Sequence, residues 1–318
     1  LGLFGDGFIL FVCGMPKRTK QRSNKINYAR QTAATIAAET VDALEKGWYH
    51  GSTGDCITIR DHVDEAVQNT VLYTPEELGN EELLSSFIAV SKPDITGNPN
   101  HLQDINVRNQ TTLEATQELV ESKFYKNVCA LNFASAKNPG GGFLNGARAQ
   151  EESIARASGL YYCLTSEQVA EFYATNKQDK TCLYSHHIIY SHQVPVLRSD
   201  KGDWLEPYYK ASFISAPAPN AGVASTRLPR ATAANEIKQT LYKRIKYVLA
   251  VAAKHQCDAL VLGAFGCGVF KNKPVMVANI FNDLLSNEFR GCFATIVFAI
   301  PSTGPDANTT EFSRVFGV

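Results

Sequence analysis

From residue 103 to residue 300 the chain alternates short apolar runs of strand length with longer stretches whose apolar residues recur every three to four positions. The pattern predicts strands over 103–107, 127–133, 182–190, 210–215, 258–263 and 292–300, and helices over 111–123, 149–164, 232–255 and 274–288. Such alternation argues for an α/β fold, a layered sheet with helices on both faces. In the helix over 232–255, Ile237, Leu241, Ile245, Val248 and Ala252 form one stripe for the sheet. Lys238, Lys243, Arg244 and Lys246 lie largely off that stripe and are expected on a solvated face.

Upstream, Ile26, Ala29, Ala33, Ile36, Thr40, Leu44 and Trp48 fall at helical steps, with Gly47 placed as a C-terminal cap. Residues 55–60 and 67–73 carry strand-like composition, and 76–82 suits a helical turn or a loop. The Gly, Pro and Asn density of 91–100 marks a connection. The expected division is a disordered or artefactual basic tail over 1–22, a helical N-terminal extension over 23–100, a core over 101–302 and a C-terminal tail over 303–318. Met15 is the expected natural start, with 1–14 an upstream artefact.

Charge narrows the function. The 31 basic and 31 acidic residues cancel, so no global positive field draws in nucleic acid, and an anionic ligand must be met by a local site. Eight cysteines without a C-x-x-C pair predict reduced thiols and an intracellular protein. The apolar run Phe8, Ile9, Leu10, Phe11 and Val12 precedes the basic run Lys17, Arg18, Lys20, Arg22 and Lys25, the reverse of a secretory signal, and is too short to span a membrane. The basic run suits a solvated tail and leaves a nuclear as well as a cytoplasmic location open.

The chemistry concentrates between Asn132 and Glu152. Gly140, Gly141 and Gly142 leave a predicted strand without a Cβ among them, so a ribose or phosphate can lie against the backbone and bond to its N–H groups. Gln150, Glu151 and Glu152 follow in the first turn of a helix whose stripe is Ile154, Ala157, Tyr161 and Leu164. At about 100° per residue the two glutamates point apart, so one can face a reacting atom while the other supports it. The helix dipole disfavours the acid form that a general acid needs, and a bound diphosphate would supply the opposite push. Glycine turns followed by acidic helix starts are common, whereas three glycines with Gln-Glu-Glu at this spacing are specific.

A second glycine loop, Gly263 to Phe270 with Gly266 and Gly268, leaves the strand ending at Leu262 and enters the helix near Pro274, a setting for a phosphate. It fits neither the dinucleotide Gly-x-Gly-x-x-Gly pattern nor a P-loop. Cys267 within it invites a nucleophile reading, but no histidine is fixed nearby in sequence, and a small residue in a tight loop is the plainer account. His186, His187 and His192 share one strand region; alternation sends the first two to opposite faces, against a shared metal. Arg148 suits a phosphate contact or an ordinary exposed side chain.

The segment from the glycines to Gln150, Glu151 and Glu152, with a gap of seven residues, resembles the signature of the poly(ADP-ribose) glycohydrolases. The resemblance to their microbial-type branch extends over about 23–302: Glu39-Thr40, the run at 131–139, Val194-Pro195-Val196, the run at 215–220, the second glycine loop with Asn272, and Phe298-Ala299-Ile300. It implies a three-layer α/β/α macrodomain with a mixed central sheet and a helical N-terminal extension. It implies hydrolysis of the ribose–ribose bond of poly(ADP-ribose) to release ADP-ribose, mainly from the chain terminus, with water as second substrate and no metal or other cofactor. Glu152 would be the acid and base, and Glu151 would hold the adjoining ribose. Asn132, Asn138, Gly140, Gly141 and Gly142 would line the distal ribose, with Gln150 a further substrate contact, Gly266, Cys267, Gly268 and Val269 around the diphosphate and Phe270 ordering that ribose. The expected partners are poly(ADP-ribose) or ADP-ribosylated macromolecules, with no membrane, and a monomer is expected. Two alternatives stand beside this: a macrodomain reader that binds ADP-ribose without cleaving it, and a hydrolase of single ADP-ribose units. Pure binding gives no reason for a carboxylate aimed at a ribose, which argues against the first.

Overall fold

The computed structural model describes residues 18–90 and 103–318, the side chains of 18–28 excepted. The expectations for the Met15 start, the apolar run before it, the side chains of the basic run and the connection over 91–100 lie outside the described residues.

The N-terminal part runs α1 (Arg18–Lys46), β1 (Trp48–His50), β2 (Cys56–Thr58), α2 (Arg60–Gln68), β3 (Val71–Tyr73), α3 (Pro75–Leu78) and α4 (Glu81–Val90). It continues with β4 (Asp104–Arg108), α5 (Thr112–Glu121), β5 (Val128–Phe133), α6 (Gln150–Ala157), α7 (Leu160–Thr165) and α8 (Ala170–Gln178). The long strands β6 (Ile188–Arg198) and β7 (Trp204–Ala216) come next, then α9 (Ala221–Arg227), α10 (Ala233–Lys254), β8 (Ala259–Leu262), α11 (Pro274–Ser286), β9 (Thr295–Ala299) and α12 (Ala307–Phe316).

Seven strands form one mixed sheet in the order β3-β6-β7-β5-β8-β9-β4. The β3/β6 and β6/β7 pairs are antiparallel, and β7, β5, β8, β9 and β4 run parallel. The inner parallel strands β5, β8 and β9 are buried on both faces because both are covered. Leu131, Leu260 and Ile296 pack toward α10, α11 and α12, and Ala130, Val261 and Val297 pack toward α5 to α8. The carboxyl ends of β5, β8 and β9 therefore meet at one edge, where parallel α/β sheets place their ligand crevice. Among the described residues no helix is long and apolar enough to cross a membrane.

The expected layers are present, with local differences. The N-terminal part contributes β3, an edge strand of the main sheet, so it is not purely helical. Residues 303–318 are no tail: Asp306 caps α12, and Phe312 is buried with its ring 5.2 Å from that of Phe298. The helix expected over 149–164 breaks at Ser158, which turns extended and bridges to Val196.

Arg244 overturns the expectation of a solvated face. Its side chain is fully buried and donates to the carbonyls of Pro217, Leu183 (3.2 Å) and Tyr184 (3.0 Å), and to His186 Nδ1 (3.1 Å). The strand expected from 182 begins only at Ile188, and the loop before it leaves carbonyls that need donors; a guanidinium is the side chain with enough of them. Burial pushes its pKa down to about 9.

Candidate active site

A cavity of about 970 Å³ opens at the carboxyl ends of β5, β8 and β9, and both glycine loops line it. Helix α6 enters its floor with Gln150, Glu151 and Glu152 as its first three residues. Gln150 fixes the helix to the sheet: its amide nitrogen donates to the Leu131 carbonyl (2.7 Å) and Thr112 Oγ1 (3.1 Å), and its oxygen accepts from the Phe133 N–H (2.8 Å). Gln150 therefore borders the cavity but its polar atoms serve β5, a correction to its expected role as a ligand contact.

Glu151 is 3% exposed. Its Oε2 accepts from the Ser135 N–H at 2.7 Å, and its Oε1 lies 3.5 Å from Asn132 Nδ2. Burial pushes its pKa from 4.5 up to about 8, and the charge of Glu152 adds to the push, against the hydrogen bonds from Ser135, Asn132 and Gly140. Glu152 sits on the more open side and accepts from the Gly142 N–H at 3.0 Å.

The triple glycine has a different job from the one expected. The Gly142 N–H goes to Glu152 and the Gly141 N–H to the Asn138 carbonyl (2.9 Å), so these two donors serve the protein's own groups rather than a ligand. Gly141 has φ +60°, and a Cβ there would stand 2.4 Å from Glu152 Oε1 and 3.1 Å from Glu151 Oε2. Both carboxylates occupy the space that a side chain at 141 would fill.

A stability consequence follows from Glu151. Below pH 4.5 the folded and unfolded chains both carry this proton; between there and about 8 only the folded chain keeps it. Stability therefore falls as pH rises through that window, by about 1.4 kcal/mol per unit and at most roughly 5 kcal/mol. Glu151→Gln mimics the protonated form. Its melting temperature should fall less than that of the wild type between pH 5 and pH 8.5, and parallel shifts in a thermal-melt series would rule the buried neutral acid out.

The second loop does present free donors. The N–H groups of Gly266, Gly268, Val269 and Phe270 have no acceptor among the described residues, and all four residues line the cavity. Asn272 staples the loop by donating to the carbonyls of Pro219 (2.8 Å) and Gly266 (3.1 Å). Gly266 is left-handed at φ +71°, and a Cβ there would lie 2.5 Å from the Ala218 methyl. Cys267 does not line the cavity: its N–H bonds to the Ala264 carbonyl, and burial pushes its thiol up to about 12. That corrects its expected place around the diphosphate and removes the nucleophile reading.

Asn138 lines the cavity and is exposed, whereas Asn132 is fully buried behind Glu151 and donates to Ser215 Oγ at 3.0 Å. Asn132 therefore positions the glutamate instead of lining a ribose, because it points down from the strand end into the protein. Gly140 is likewise buried off the cavity. The histidines belong to three separate contacts: His186 with Arg244, His187 with Ser185, and His192 with Tyr190. Among the described residues no three His, Cys, Asp or Glu side chains gather as metal ligands.

Several wall residues escaped the sequence reading. Thr111 caps α5 in a reciprocal box with Glu114, a local signal that was available, and donates to Asp200 from the β6–β7 hairpin. Asp200 and Asn308 of α12 also line the cavity, brought there by non-local folding. From the N-terminal part, Thr40 donates to the Arg156 carbonyl (2.8 Å) and Arg30 to the Asn145 carbonyl (2.8 Å). Helix α1 thus backs the stretch between the glycines and α6, closely enough that a Cβ at Gly146 would fall 2.0 Å from the Arg30 carbonyl oxygen.

Residues 37–199 match the family described as microbial-type PARG, catalytic domain. The fold is similar to the crystal structure of poly(ADP-ribose) glycohydrolase from Thermomonospora curvata, with a TM-score of 0.80 and 42% identity over 90% of this chain and 100% of that one. The same enzyme bound to the inhibitor ADP-HPD matches at a TM-score of 0.77 and 41% identity, over 89% of this chain and 99% of that one. Poly(ADP-ribose) glycohydrolase from Deinococcus radiodurans in complex with ADP-ribose matches at 0.71 and 39%, over 80% of this chain and 96% of that one. A comparison with curated proteins gives no match.

Proposed function

The chain belongs to the microbial-type poly(ADP-ribose) glycohydrolase family, and from that membership we propose how its cavity hydrolyses the ribose–ribose O-glycosidic bond of poly(ADP-ribose) and releases ADP-ribose. The four free N–H groups over 266–270 take the diphosphate, as a concave set of backbone donors does. The distal ribose lies between Asn138, Gly141 and Phe270, which brings its C1″ to Glu152. Glu152 protonates the departing ribose oxygen and then removes a proton from the water that attacks C1″. The transition state is oxocarbenium-like, and the diphosphate offsets its positive charge.

The observation that carries this reading is the placement of Glu152. Its carboxylate lines the cavity over Gly141, and one oxygen is fixed by the Gly142 N–H. Glu151 stands beside it as a buried acid that keeps its proton at neutral pH, while Glu152 regains from the attacking water the proton it gave to the departing oxygen. Both carboxyl groups start one helix turn, so neither lies across the scissile bond as the second group of a two-carboxylate glycosidase would. A single acid and base follows from that geometry.

The raised pKa of Glu151 supports a second reading, in which Glu151 itself is the acid. Its 3% exposure and the Ser135 N–H on its outer oxygen speak for a supporting role instead. Partners in this proposal are poly(ADP-ribose) or macromolecules that carry it, and the site of action is intracellular, in keeping with free thiols among the described cysteines.

The test is release of ADP-ribose from purified poly(ADP-ribose) as a function of pH. The wild type should release it, with kcat falling above about pH 8 as Glu151 loses its proton. Glu151→Gln should shift that limb. Binding of ADP-ribose with no release at any pH would leave a reader, and a limb that is the same in both proteins would remove Glu151 from the proton inventory.

A further inference from the structure

The charges around the cavity are distributed unevenly. Arg148, an exposed residue, is the one cation among the described residues that line it, and its guanidinium has neither a hydrogen bond nor an ion pair with any described residue. It lies beside a second cation, since the charge of Arg148 adds to burial in lowering the pKa of Arg156. Arg156 is itself held by the Ala147 carbonyl (3.0 Å) and Ser153 Oγ (3.2 Å). The carboxylates on that wall face Arg156, whose charge both offset, and are bonded to other donors: Glu152 accepts from the Gly142 N–H, and Asp200 from Thr111 Oγ1. A guanidinium left without a partner beside a like charge is suited to an anion from outside.

Its position indicates which anion. The free N–H groups over 266–270 lie between β8 and α11, on the sheet face covered by α10, α11 and α12. Arg148 lies just before α6, with Glu152, on the face covered by α5 to α8. The diphosphate of the released unit is met by the first set, so Arg148 remains for a different phosphate. In poly(ADP-ribose) the oxygen that Glu152 protonates belongs to the adenosine ribose of the leaving unit, and that ribose carries its own 5′ phosphate one ribose width away.

We infer that Arg148 binds a phosphate of the leaving unit and so selects a leaving group that is itself an ADP-ribose unit. The inference rests on the hydrolase reading above and deepens it, because a single ADP-ribose attached to a protein side chain leaves no phosphate at this place.

The test compares wild type, Arg148→Ala and Arg148→Lys on two substrates: purified poly(ADP-ribose) and an ADP-ribosyl glycoside with a phosphate-free phenol as leaving group. The ratio of kcat/KM for polymer over phenol glycoside should fall about tenfold in Arg148→Ala and recover in part in Arg148→Lys. The decline of log kcat/KM on polymer with log salt should become shallower by about one in Arg148→Ala. Equal losses on both substrates would place Arg148 in the site of the released unit, and no loss on either would make it a solvated side chain; each overturns the inference alone. A wild type that hydrolyses neither substrate overturns the hydrolase reading, and the inference with it.

Discussion

Glu152→Gln is expected to lose roughly 10²–10⁴-fold in release of ADP-ribose from poly(ADP-ribose), the usual worth of a positioned proton donor, while its affinity for free ADP-ribose stays within a few-fold of the wild type. The substitution keeps the shape of the side chain and can still accept from the Gly142 N–H, which at present reaches Glu152 Oε1 at 3.0 Å. The diphosphate donors over 266–270 belong to a different loop and are untouched. Parallel measurements of ADP-ribose release and of ADP-ribose binding by calorimetry decide the matter. Retained release would transfer the acid role to Glu151, whose raised pKa already makes it the competitor. Lost binding together with lost release would make Glu152 a part of the ribose site instead.

The second large effect is expected at Gly141. A methyl group there would stand 2.4 Å from Glu152 Oε1 and 2.9 Å from its Cδ, so the carboxylate must move off the Gly142 N–H. The left-handed backbone adds about 1–2 kcal/mol of strain for any residue with a Cβ. Displacement of a reacting group by about 1 Å costs roughly 10²-fold, so Gly141→Ala should lose at least that in kcat. ADP-ribose binding should weaken far less than kcat, and the melting temperature should drop by only a few degrees. The same kcat in variant and wild type would show that the glycines do not hold the carboxylates. The comparison separates the two accounts of the triple glycine, since a loop that cradled a phosphate with its own N–H groups would lose binding first.

The two glycine loops illustrate how far the sequence reaches. Both have the same outward features, a strand end, glycines and a following helix. In the loop over 266–270 four N–H groups are free, as a phosphate site requires. In the loop over 140–142 the N–H groups of Gly141 and Gly142 are taken by Asn138 and Glu152. The difference lies in the seven residues between Gly142 and Gln150, which fold back along α1 and return the helix start over the glycines. Spacing signalled that the glutamates belong with the loop; it did not say in which direction the hydrogen bonds run.

What the sequence determined by itself is whatever a local repeat can encode. Period-two and period-3.6 apolar patterns specify which stretches bury one face or two, and this gave the layered α/β architecture, the strand ends that carry the loops, and the α6 start with its paired glutamates. Tertiary structure alone decided burial. Asn132 and Asn138 flank one loop, yet the first is enclosed behind Glu151 and the second faces the cavity. Arg244, which looked like one more surface cation of α10, is enclosed by the carbonyls of Leu183, Tyr184 and Pro217. The pKa of Glu151 depends on the same factor, because desolvation is set by every element that closes over a group, including those far from it in the chain. Asp200 and Asn308 reach the cavity from a hairpin and from the last helix for that reason: proximity there is made by the sheet order, and no window of sequence contains it.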